Sequence, residues 1–78
     1  MHATAKKEGY RADVSISGNV AVEQVHQWDD DGNAHLLYSC SFPATNLGKG
    51  AIKNMTLENY TSAMLETVIR QHKRGEIA

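Results

Sequence analysis

The chain has 78 residues, 41% of them hydrophobic and 22% charged, with a formal charge of -1, one Cys and one Pro. That size allows one domain, and the hydrophobic share with so small a charge excludes a chain held open by self-repulsion. Eight Lys and Arg against nine Asp and Glu provide no global basic field for phosphate-driven nucleic-acid binding, and no apolar run approaches the roughly 20 residues that cross a bilayer.

Residues 1–9 show no apolar periodicity and end in Gly9, so they are expected to form a mobile tail ahead of a single domain over 10–78. From Tyr10 the even positions Tyr10, Ala12, Val14 and Ile16 alternate with Arg11, Asp13, Ser15 and Ser17, the period of a half-buried strand. Ser17-Gly18-Asn19 then reads as a three-residue turn. It would set Ile16 against Val20, Val14 against Val22, Ala12 against Gln24 and Tyr10 against His26, with apolar partners mostly on one face. A slip by one residue would oppose Val14 to Glu23, which disfavours it. Residues 10–28 also admit one long bulged strand.

The second strand ends at Asp29-Asp30-Asp31-Gly32-Asn33, an acidic turn. In the third, Ala34, Leu36, Tyr38, Cys40 and Phe42 would face Trp28, His26, Gln24, Val22 and Val20, and Pro43 stops it. The connection from Ala44 to Met55 is long for a small domain, with a stub of strand at Ala51 and Ile52. Thr56 has the chemistry of a helix N-cap, with Glu58 in the first turn. Leu57, Tyr60, Met64, Leu65, Val68 and Ile69 then form an apolar stripe, and Gly75 ends the helix near Arg74. The expected fold is α+β: a three-stranded antiparallel meander with one C-terminal helix packed on one face, β-β-β-α in two layers.

Little in the sequence points to catalysis. His2, His26, His35 and His72 have no ligand spacing, which favours a satisfied core His26 and an exposed His35 over a metal site. The acidic turn lacks the closing Glu of a calcium loop. Gly48-Lys49-Gly50 lacks the Ser or Thr of a Walker loop. Cys40 reads as a small buried residue in a reducing cytoplasm. No enzyme activity, cofactor or metal is expected.

The sequence is therefore read as a cytoplasmic, non-enzymatic protein-binding module, a homodimer, of the kind found among phage or mobile-element accessory proteins and inhibitors of host complexes. Its expected partner surface combines the acidic tip Asp29, Asp30 and Asp31, the outward-facing Val25 and Leu37, and the loop cations Lys49 and Lys53. The alternative is a nucleic-acid-binding module in which Lys6, Lys7, Arg11, Lys49, Lys53, Arg70, Lys73 and Arg74 converge into one basic patch. A small-molecule pocket would need a cavity that so small a core can hardly spare.

Overall fold

The computed structural model describes residues 1–77, with Ala51 by its backbone alone. Four strands come first: β1 (His2–Lys7), β2 (Tyr10–Ser17), β3 (Val20–Trp28) and β4 (Ala34–Pro43). They form one antiparallel sheet in the order β1-β2-β3-β4. Two short 3-10 helices, Ala44–Gly48 and Gly50–Ile52, lead to helix α1 (Leu57–Lys73). The α+β meander with its C-terminal helix is thus as expected, except that the sheet has four strands rather than three. The stub at Ala51 and Ile52 is helical rather than extended.

The extra strand is the stretch read as a tail. Its alternation is real but carried by alanine: Ala3 is buried and Ala5 half-buried on the inner face, while His2, Thr4 and Lys6 are exposed. The turn into β2 has Glu8 at φ 53° and Gly9 at φ 82°, the two positive angles of a type I′ hairpin, whose twist matches its strands.

The register of β3 is the slipped one. Ser17 pairs with Val20, Ile16 with Ala21, Val14 with Glu23 and Ala12 with Val25, because the loop has two residues with Gly18 first, at φ 59°, the type II′ pattern. Shortening the loop by one residue turns every β3 side chain over. Ala21, Glu23 and Val25 are buried, and Val20, Val22, Gln24, His26 and Trp28 lie on the outer face. His26, expected in the core, is half-buried there with its ring tilted against Trp28.

β4 then restores part of the expected pattern. Trp28 pairs with Ala34 and His26 with Leu36 as anticipated, but Val25 pairs with Tyr38, leaving Leu37 as the extra residue of a bulge. Before the bulge, Leu36 is outward and 55% exposed. Beyond it, Tyr38, Cys40 and Phe42 follow the buried residues of β3 onto the inner face.

Thr56 caps α1 as expected, its Oγ1 accepting the Asn59 N–H at 3.1 Å. The helix buries Thr61, Leu65, Val68 and Ile69 and lies across β1 and β2. The Tyr10 hydroxyl and His72 Nδ1, 2.8 Å apart, pin its C-terminal end. The core is Tyr10, Ala12, Val25, Leu65, Val68 and Ile69, with Leu37, Tyr38 and Met64 packed beside it. Among the described residues no helix is long and apolar enough to cross a membrane.

Candidate functional site

Because α1 sits over β1 and β2, the inner face of β3 and β4 is only partly roofed. A cleft of about 400 Å³ runs between β4 and the helix. Its helix wall is Ala63, Met64, Thr67, Val68 and Gln71, Ile52 and Met55 close one end, and Glu23, Tyr38 and Tyr60 complete the lining.

Glu23 is the polar centre of this cleft. It is only 5% exposed, held in the middle of β3 between Val14 and Cys40. The Tyr38 hydroxyl donates to its Oε1 and the Tyr60 hydroxyl to its Oε2, each at 2.6 Å. One tyrosine comes from β4 and the other from the first turns of α1, so the carboxylate ties the sheet to the helix. Burial, the hydrogen bond to Glu23 and the charge of Glu23, in that order, push both phenols above their ordinary value of 10.0. Among the described residues no Lys, Arg or His lies within ion-pair distance of Glu23.

The residues anticipated from sequence do not gather here. Val25 is fully buried, and Leu37 packs against the core as the bulge residue, so neither belongs to the open outer face. The physical reason is the two-residue turn, which inverts β3, and the bulge, which turns Leu37 inward. Asp29 organises its own loop: Oδ1 accepts the N–H groups of Asp31 and Asn33 at 3.0 and 2.9 Å, and Oδ2 lies 2.8 Å from His35 Nε2. The His35 hydrogen bond, helped by those N–H groups, holds the Asp29 carboxyl below its usual range. Asp30 and Asp31 are exposed at the tip.

Lys49 and Lys53 are exposed in the connection after β4, at the opposite end of the β3–β4 hairpin from the tip. Nine residues of strand put the two ends roughly 30 Å apart. The other cations are mostly engaged: Lys7 with Glu66 at 3.2 Å, Arg11 with Asp13 at 3.1 Å and Lys73 with Glu8 at 3.4 Å. Lys7, Arg70 and Lys73 line one depression, with Glu8 and Glu66 among them, and Lys6 and Arg11 line a neighbouring one with Lys7, while Lys49 and Lys53 lie in the connection after β4 and line neither. Among the described residues no three His, Cys, Asp or Glu side chains come together as metal ligands.

Sequence reasoning missed Glu23, Tyr38 and Tyr60 as a group. The available signal was a lone Glu in an otherwise apolar alternation, which was turned outward because its buried partners lie 15 and 37 residues away. No family model, no curated protein and no solved structure matches this chain.

Proposed function

We propose that this protein is a non-enzymatic protein-interaction module, and that its cleft receives a partner segment carrying a Lys or Arg among apolar residues. The observation that carries this reading is Glu23, a buried carboxylate that opens on a half-apolar cleft and has hydroxyl partners but, among the described residues, no cation. A carboxylate has room for acceptor contacts beyond the two hydroxyls. A partner cation entering between Tyr38, Tyr60 and the methionines Met55 and Met64 would meet a negative charge in a poorly solvated place, where attraction is strongest.

The chemistry of the site favours binding over catalysis. Both carboxylate oxygens are occupied by phenols whose deprotonation is disfavoured near neutrality, so neither phenol is poised as a base or nucleophile.

The test is a charge placed on the rim. Ala63 is exposed on the helix wall of the cleft, and Ser62 is exposed outside it. Basic and acidic versions of an apolar peptide are titrated by calorimetry against the parent protein, Ala63→Arg and Ser62→Arg. The expected result is binding of the basic peptide alone, weakened at least tenfold by Ala63→Arg and unchanged by Ser62→Arg. Equal binding of both peptides, or no effect of Ala63→Arg, would overturn the assignment.

A further inference from the structure

The two edges of the sheet are protected very differently. β1 has six residues, including Lys6 and Lys7, the charged edge that soluble proteins use to discourage strand addition. β4 has ten residues and contains no Lys, Arg, Asp or Glu. It is the last strand of the sheet, and among the described residues nothing pairs with its free side.

Two features limit the regular part of that edge. The bulge at Leu37 interrupts it on one side, and Pro43, which has no N–H, ends it on the other. The stretch between them is Tyr38-Ser39-Cys40-Ser41-Phe42, and its middle residue is Cys40. Tyr38, Cys40 and Phe42 are half-buried on the inner face although neutral and mostly apolar, while Ser39 and Ser41 are exposed on the outer face.

We propose that β4 pairs antiparallel with β4 of a second copy of this chain about a two-fold axis at Cys40. This choice uses the whole regular stretch. It sets Tyr38 against Phe42 of the second copy, Cys40 against its counterpart and Ser39 against the copy's Ser41, so like faces meet and no ionised groups are opposed. The sheet becomes eight-stranded and both helices lie on the same side. The inner-face row Val14-Glu23-Cys40 then continues into the same row reversed. The two clefts open on one trough floored by Tyr38, Cys40 and Phe42 of both chains.

The proposal deepens the reading of this side of the molecule as a binding surface, and it rests on that reading; its test requires no peptide or other protein, so its failure is distinct from failure at the Ala63 rim. The mass of the intact chain is measured by light scattering during size exclusion at micromolar concentration, for the parent, Ser39→Lys with Ser41→Lys, and Thr4→Lys on the other edge. In parallel, a short bismaleimide is offered to the reduced parent; each maleimide adds one Cys40 thiol across its double bond. The expected result is twice the 8.6 kDa chain mass for the parent and Thr4→Lys, a monomer for the double lysine variant, and a covalent dimer bridged at Cys40. The cross-link needs no variant to fold, so it stands even where the lysine pair disturbs the strand. A parent monomer, or a dimer that the bismaleimide does not bridge, would overturn the proposal.

Discussion

A single carboxylate decides much of this molecule. Glu23 occupies a position where a valine would be the simpler core residue, and its burial is tolerated because both oxygens accept a tyrosine hydroxyl. Removing one side of such a group costs more than removing all of it. Glu23→Leu alone is expected to lower the unfolding free energy by about 1–3 kcal/mol, whereas Glu23→Leu with Tyr38→Phe and Tyr60→Phe recovers most of that loss. Urea unfolding of the two variants checks the difference. On the outer face, Asp13 is held by a different balance. Burial raises its carboxyl, but hydrogen bonds from Thr4 and Arg11 and the charge of Arg11 outweigh this and keep it below its ordinary 3.8. A depressed acid contributes stability above its unfolded value that is lost as the pH falls through the folded one. Asp13→Asn is therefore expected to melt earlier than the parent at neutral pH, and the gap should close as the pH falls below 3.8; thermal melts across the acid range measure it.

At the scale of the elements, the sheet is governed by two single-residue events. The short Gly18-Asn19 turn inverts β3, and the Leu37 bulge brings Tyr38, Cys40 and Phe42 onto the same face as Ala21, Glu23 and Val25. Deleting Leu37 is expected to remove the bulge and leave a regular ladder, with Leu36 still outward opposite His26 and Tyr38 still inward opposite Val25. The Tyr38 bond to Glu23 is then kept, and the loss is the packing of one half-buried leucine against the core, roughly 1–2 kcal/mol, readable as a lower urea midpoint. These events also explain what the sequence made legible. The helix, its Thr56 cap and its Leu65, Val68 and Ile69 face were readable because helical signals are local and periodic, and β2 was readable from its even-numbered apolar residues. β1 was missed because Ala3 and Ala5 give almost no hydrophobic contrast with Thr4. The β3 register was missed because Val20 and Val22 made an attractive false face, and Glu23 looked unburiable until Tyr60, from a distant helix, was in place.

For the molecule as a whole, the helix supplies cover for half a sheet. It roofs β1 and β2, so the charged edge and the covered face coincide, and the neutral edge and the open face coincide on the β4 side. A chain of this size is near the limit at which one core sustains a fold, and an eight-stranded assembly would enlarge that core without lengthening the chain. The site was hardly legible at this scale, since Glu23, Tyr38 and Tyr60 meet only after three hairpins and a helix have closed. The position of α1 also sets a timetable. The strands that the helix covers are the earliest to be synthesised, while the helix follows β4 and two further turns. At about 5–20 residues per second, Ala12, Val14 and Val25 wait on the order of seconds for their roof during translation. During that interval the apolar residues of the sheet have no helix to cover them, and the chain is most exposed to aggregation until Leu65, Val68 and Ile69 dock.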